Sequence, residues 1–124
     1  MRFDNYKFVL KTRASSENEV TGKDIDLEDR FECDLQGVTL TEGMSLFSPK
    51  KEVWKKYGIE NLIFPDFNFH VLEIHNDGVV LERSFTYSSS YRPQFKISFA
   101  EPKHSESFDF GRYNYSYVLT LEKR

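Results

Sequence analysis

The stretch HVLEIHNDGVVLERSF, residues 70–85, decides the fold that the sequence predicts. Apolar and polar residues alternate on both sides of Asn76-Asp77-Gly78, and a period of two is typical of β-strands. Asn, Asp and Gly are the residues that tight hairpin turns favour. The stretch therefore predicts two antiparallel strands joined by a short turn.

The register of this hairpin decides whether its acids act together. A two-residue turn at Asp77-Gly78 sets Glu73 opposite Glu82, and two adjacent carboxylates are the groups that a paired-carboxylate hydrolase uses. A three-residue turn with Gly78 in the left-handed position instead sets Glu73 opposite Leu81 and turns Glu82 to the other face. We favour the second register, because like charges directly opposite each other destabilise a sheet.

The same alternation runs through much of the chain and predicts a mainly β fold. The alternating sets are Tyr6, Phe8 and Leu10; Phe31, Cys33 and Leu35; Phe95, Ile97 and Phe99; and Tyr113, Tyr115, Tyr117, Leu119 and Leu121. Ala, the strongest helix former, occurs only twice, whereas Phe occurs 12 times and Tyr 7 times. We expect a small antiparallel β-barrel or β-sandwich of six to eight strands, in a single domain over residues 1–124.

One short helix is expected at about residues 49–57. Ser48 suits the N-cap, Pro49 suits the first turn, and Gly58 suits the C-terminal cap.

Charge and cysteine content narrow the function classes. The chain has 124 residues and a net charge of −3, which disfavours a nucleic-acid binder, because contacts to phosphates need a cationic surface. Cys33 is the one cysteine, so no intrachain disulfide is expected. No stretch has the apolar length of a membrane span or of a signal peptide, and we expect a cytoplasmic protein.

The segment 14–34 is strongly acidic, with eight acids against Lys23 and Arg30. We expect this segment to be a docking surface for a protein partner, in particular a basic one. Tyr and Arg are frequent in interface hot spots, and the expected loop FTYSSSYRPQF, residues 85–95, contains one of each that we add to the docking surface. The candidate partner-binding residues are Asp24, Asp26, Glu28, Asp29, Tyr91 and Arg92.

No group of residues predicts catalysis, a metal or a cofactor. The acids at 24–29 lack the Gly and Glu positions of an EF-hand calcium loop. His70 and His75 lie five apart, an odd spacing that sends them to opposite faces of a regular strand. His104 falls in the expected loop AEPKHSES.

Three function hypotheses follow from this pattern. The first is a non-catalytic β-domain that binds another protein, and the second is a barrel that holds an apolar or sugar ligand. The third, a paired-carboxylate hydrolase built on Glu73 and Glu82, is disfavoured by the register argument. The many aromatic strands also make a homo-oligomer an option, because they can leave an apolar face uncovered.

Overall fold

Seven antiparallel strands make up the regular structure of the computed structural model, which describes residues 3–16, 25–47, 67–85, 92–110 and 113–124. The strands are β1 (Tyr6–Ser16), β2 (Ile25–Asp34), β3 (Phe67–Ile74), β4 (Gly78–Phe85), β5 (Gln94–Ser98), β6 (Lys103–Phe110) and β7 (Tyr113–Lys123). The predicted mainly β fold is confirmed, and the seven strands of the described residues fall within the predicted six to eight. The helix expected at about 49–57 lies outside the described residues.

The strands form two open sheets. One has four strands in the order β2-β1-β7-β6, and the other has three in the order β3-β4-β5. Each sheet has two edge strands, so the described strands form no closed barrel, whereas two antiparallel sheets fit the sandwich alternative. The chain divides into two compact units, Met1–Val38 with Phe99–Arg124 and Thr39–Ser98. The single domain over 1–124 stays a prediction.

The four-stranded sheet has unbroken ladders. β1 pairs with β2 from Lys7↔Asp34 to Ser16↔Ile25, and with β7 from Tyr6↔Lys123 to Ser16↔Tyr113. Because cross-strand partners project to the same face, the apolar alternation of the three strands falls in phase. Its buried members are Phe8, Leu10, Tyr117, Leu119 and Leu121, while on the opposite face the paired residues Val9 and Thr120 are also buried. We call the face that carries these side chains the core face and the opposite one the outer face.

The hairpin of the three-stranded sheet has neither predicted register. His75 donates its backbone N–H to the carbonyl of Gly78 over 2.8 Å, so the loop is Asn76-Asp77. Glu73 pairs with Val80, rather than with Glu82 or Leu81. Apolar pairs across β4 explain this outcome, because the register that aligns the apolar residues of all three strands outweighs the preference of the turn. These pairs are Val71↔Leu81, Leu81↔Phe95 and Val79↔Ile97.

Gly78 is needed for space rather than for a left-handed backbone. Its φ is not positive, unlike that of Gly37, which is 71°. A Cβ at position 78 would lie 2.8 Å from the Cα of Ser98 and closer still to the carbonyl oxygen of Ile97. Glycine at 78 therefore lets β4 approach β5 closely.

Aromatic side chains contribute to both units. In the first, the Phe99 ring lies 5.5 Å from that of Phe3 and 4.7 Å from that of Tyr6. Phe99 was expected to continue the strand of Phe95, but β5 ends at Ser98. In the second, Phe69 makes edge-to-face contacts with Phe47 and Phe95. Such contacts add to the energy of burial.

Among the described residues, no helix has the length and apolar character that crossing a membrane requires.

Candidate binding site

The outer face of the four-stranded sheet carries two neighbouring rows of polar side chains. In the first row, Lys11 lies opposite Arg30 on β2 and opposite Val118 on β7. In the second row, Arg13 lies opposite Glu28 and Ser116. Both rows follow from the unbroken ladder, because residues at odd positions of β1 share one face.

These two rows line a cavity of about 570 Å³. Its lining residues are Lys11, Thr12, Arg13, Glu28, Asp29, Arg30, Ser116, Tyr117 and Val118. Six of the nine belong to the two outer-face rows, and the remaining three are the cross-strand set Thr12, Asp29 and Tyr117 between them. We therefore assign the cavity to the outer face and call it the outer groove.

Ion pairs between the chain's own groups lie on the outer face at the edge of the groove and next to it. Glu32 Oε1 accepts hydrogen bonds from Lys7 Nζ over 3.1 Å and from Arg30 Nη2 over 2.9 Å. The hydrogen bond from Arg30, followed by that from Lys7, lowers the pKa of Glu32. Asp34 Oδ1 likewise lies 2.7 Å from Arg124 Nε. Two acids of β2, Glu32 and Asp34, are therefore paired with cations of the chain itself.

The groove itself carries an excess of cations on its outer-face rows. Among the described side chains that line it, Lys11, Arg13 and Arg30 are the outward cations and Glu28 is the outward acid, while Arg30 also pairs with Glu32 next to the groove. All four of these lining side chains are exposed. Charges of this kind recognise polar or charged ligands rather than apolar ones.

The structure brings two of the six predicted partner-binding residues into the groove. Glu28 is exposed on the outer face, whereas Asp29 is part-buried on the core face and its Oδ1 accepts the backbone N–H of Arg30 over 2.9 Å. Adjacent positions of a strand point to opposite faces, so these two acids do not chelate one cation. Arg92 lies in the other unit, where its Nη1 is 3.5 Å from Glu82 Oε1.

The remaining predicted residues lie beyond what the structure describes. Asp24 and Tyr91 are outside the described residues, and of Asp26 only the backbone, in β2, is described.

Sequence reasoning missed the cations of the groove. Lys11 and Arg13 alternate with Leu10 and Thr12, which is the signal of an outward face. That signal does not identify which residue of β2 lies opposite each cation. The register with β2 was needed to place Arg30 beside Lys11.

The acids and histidines of the three-stranded sheet have local partners. The β-bulge between Val71 and Glu73 returns Glu73 to the face of Glu82 and His70, so the predicted separation of the two acids onto opposite faces is wrong. Glu73 Oε2 lies 3.2 Å from His75 Nε2. Glu82 lies opposite His70 on β3 and near Arg92, rather than opposite Glu73.

His70 bridges two hydroxyl groups. Its Nδ1 lies 3.1 Å from Ser45 Oγ and its Nε2 lies 3.0 Å from Ser84 Oγ. The backbone of Ser45 also forms a β-bridge with that of His70, which fixes the ring beside the segment 43–46. The arrangement satisfies both nitrogens of an imidazole.

A second polar cluster lies on the core face of the four-stranded sheet. Tyr117 donates its hydroxyl to the carboxylate of Glu106, and His104 Nε2 lies 3.5 Å from the same Oε2. His104 belongs to β6 rather than to a loop, so the loop prediction is wrong. β6 begins at Lys103, where its ladder with β7 starts with the pair Lys103↔Thr120. Sequence reasoning missed this cluster, because it depends on pairing between β6 and β7.

The Cys33 thiol and clusters of metal-binding side chains are two further places where chemistry could occur. Burial, followed by the charge of Asp34, raises the pKa of the half-buried Cys33 thiol, which opposes nucleophilic reactivity. Within the described ranges, no three His, Cys, Asp or Glu side chains come together as a metal site.

Comparison of the chain with protein-family models, with curated proteins and with solved structures finds no match.

Proposed function

We propose that this chain is a non-catalytic β-domain that binds a protein partner at its outer groove. The observation that carries the proposal is the cavity of about 570 Å³, because it falls on the part of β2 that contains the predicted partner-binding residues Glu28 and Asp29. The exposed charges around it favour a polar partner and fast association.

The edge position of β2 supports the same proposal. β2 has 10 residues and, among the described strands, is the outermost one of its sheet, paired on one side with β1. The other side of an edge strand presents backbone N–H and C=O groups that a segment of another protein can pair with. A partner that enters the groove therefore has main-chain groups of β2 within reach.

A groove-filling substitution tests the proposal without changing any charge. Ser116→Tyr places a large side chain among the lining residues of the groove. Gln94→Tyr is the matched control, because Gln94 is an exposed strand residue of the other sheet. We expect tagged wild type and Gln94→Tyr to retain the same protein from a lysate of the source cells, and Ser116→Tyr to lose it. Identical retained sets for all three proteins would contradict the proposal.

A small-molecule ligand in the same groove is the second candidate. The cavity volume of about 570 Å³ supports it, because pockets for small ligands occupy roughly 300–1,000 Å³. Native mass spectrometry of the chain isolated from its source cells distinguishes the two candidates. A small added mass that Ser116→Tyr lacks would favour the ligand.

A further inference from the structure

Two like charges lie directly opposite each other at the outer groove. The ladder between β1 and β2 pairs Lys11 with Arg30, and both side chains are exposed on the outer face. Like charges in directly opposite positions destabilise a sheet. The pair therefore costs stability, unless a negative charge lies between the two cations.

The chain's own acids supply such a charge to one cation of the pair. Nε and Nη2 of Arg30 both donate to Glu32 Oε1, over 3.2 and 2.9 Å, and Nη2 also lies 3.8 Å from Glu122 Oε2. These contacts hold the Arg30 guanidinium through Nε and Nη2, and Nη1 takes part in none of the three. Within the described ranges, no hydrogen bond or ion pair reaches the Lys11 ammonium.

The groove thus offers two kinds of cationic donor to a ligand. A guanidinium that is already held loses little freedom when it binds a carboxylate, and the ammonium adds a second charge-assisted hydrogen bond. The hydroxyl of Ser116 and the charge of Arg13 lie on the neighbouring row.

We propose that the outer groove recognises an acidic segment of the partner protein, with Lys11 and Arg30 binding one of its carboxylates. This inference rests on the proposed function and names the chemistry of the partner. It departs from the basic partner that the sequence predicts, because Lys11 and Arg30 lie opposite each other at the groove, whereas Glu28 is the outward acid among the described lining residues and Asp34 is paired with Arg124.

Charge favours a peptide over a nucleic acid as the occupant. Glu28 lines the groove, and Glu32 and Glu122 lie on the same face next to Arg30. The charges of a nucleic acid lie on its backbone, so a strand that follows β2 would bring its phosphates against these carboxylates. An acidic peptide has its charges on side chains and can place one carboxylate between Lys11 and Arg30, with its backbone along β2.

Peptide titrations test this inference. The probes are fluorescein-labelled hexaglutamate, hexalysine and hexathymidylate, measured by fluorescence anisotropy at low salt with the wild-type chain. Lys11→Gln and Arg30→Gln each remove one proposed contact. Lys103→Gln is the matched control, because Lys103 is an exposed lysine on the outer face at β6 and does not line the groove.

We expect hexaglutamate to bind with a salt-dependent affinity. Each groove variant should weaken it about fivefold, the loss of roughly one exposed charge-assisted contact, whereas Lys103→Gln should leave it within about twofold. Amide resonances of β1 and β2 in ¹⁵N-labelled protein should shift on addition of hexaglutamate. These spectra also show whether Arg30→Gln, which releases Glu32, keeps the native fold.

Three outcomes would overturn the inference. Absence of hexaglutamate binding, or binding that Lys11→Gln does not weaken, removes the carboxylate site. Tighter binding of hexathymidylate assigns the groove to nucleic acid. Tighter binding of hexalysine, with shifts of the Glu28 resonance, overturns the acidic partner but leaves the proposed function intact. The proposed function itself fails if Ser116→Tyr retains the same proteins from the lysate as wild type.

Discussion

The two sheets differ in how regularly their strands pair. In the four-stranded sheet, β1 keeps an unbroken ladder with both neighbours. In the three-stranded sheet, the bulge between Val71 and Glu73 shifts the ladder of β3 and β4 by one residue. Faces assigned from alternation therefore hold in the first sheet and fail in the second, where Glu73 returns to the face of Glu82.

Substitution of a glycine in each sheet's unit should give the largest difference between them. Gly78→Ala places a Cβ against the backbone of Ile97 and Ser98, and we expect a loss of about 3 kcal/mol in the free energy of unfolding. Gly37→Ala meets nothing within 4 Å but must adopt a φ of 71°, which costs about 1 kcal/mol. Urea denaturation of both variants measures the two costs. Equal losses would contradict the close approach of β4 and β5.

Acid should weaken both sheets through their carboxylates. The hydrogen bond from Arg30, then that from Lys7, lowers the pKa of Glu32, and Lys96 lowers that of Asp77. A pKa that is lower in the folded state stabilises the fold above the unfolded-state pKa, and this contribution disappears as the pH falls through the folded-state pKa.

We therefore expect Glu32→Gln and Asp77→Asn to be less stable than wild type at pH 7. Each should then lose less stability than wild type between pH 5 and pH 3, in unfolding measured by circular dichroism. Glu42→Gln is the control, because Glu42 is exposed in the segment before β3. An acid response of Glu32→Gln as steep as that of wild type would count against the ion pairs of the outer face.

Removal of the like-charge pair should give the smallest effect. We expect Lys11→Gln to raise the free energy of unfolding by about 0.5 kcal/mol in the absence of ligand, because it relieves the repulsion from Arg30. Lys103 lies opposite Thr120 rather than a cation. Lys103→Gln should therefore change the free energy of unfolding by less than Lys11→Gln does. The gain should shrink at high salt, where exposed charges are screened. A loss of stability in Lys11→Gln would show that the two cations do not repel each other.

The sequence predicted the β class, a range of strand numbers that includes the seven described strands, and the apolar core face of the four-stranded sheet, because these follow from alternation. Alternation did not predict the burial of Val9 and Thr120 on the outer face. Phe8, Leu10, Leu119 and Leu121 are buried as their spacing indicates.

The contents of the candidate site depend on contacts between distant segments, which alternation does not specify. The acidic segment 14–34 was visible in the sequence, but the pairing of Glu32 with Lys7 required the ladder between β1 and β2. Arg83 shows the same limit, because it is in phase with Val79 and Leu81 yet its complete burial was not expected. Long-range pairing decides such positions.

Charge reversal at Lys11 tests most directly whether the outer groove binds an acidic partner. This one substitution must change the preference of the groove from hexaglutamate to hexalysine. We predict that Lys11→Glu loses hexaglutamate binding and gains affinity for hexalysine, while Lys103→Glu keeps the wild-type preference. An unchanged affinity of Lys11→Glu for hexaglutamate would contradict the outer groove as a site for an acidic partner.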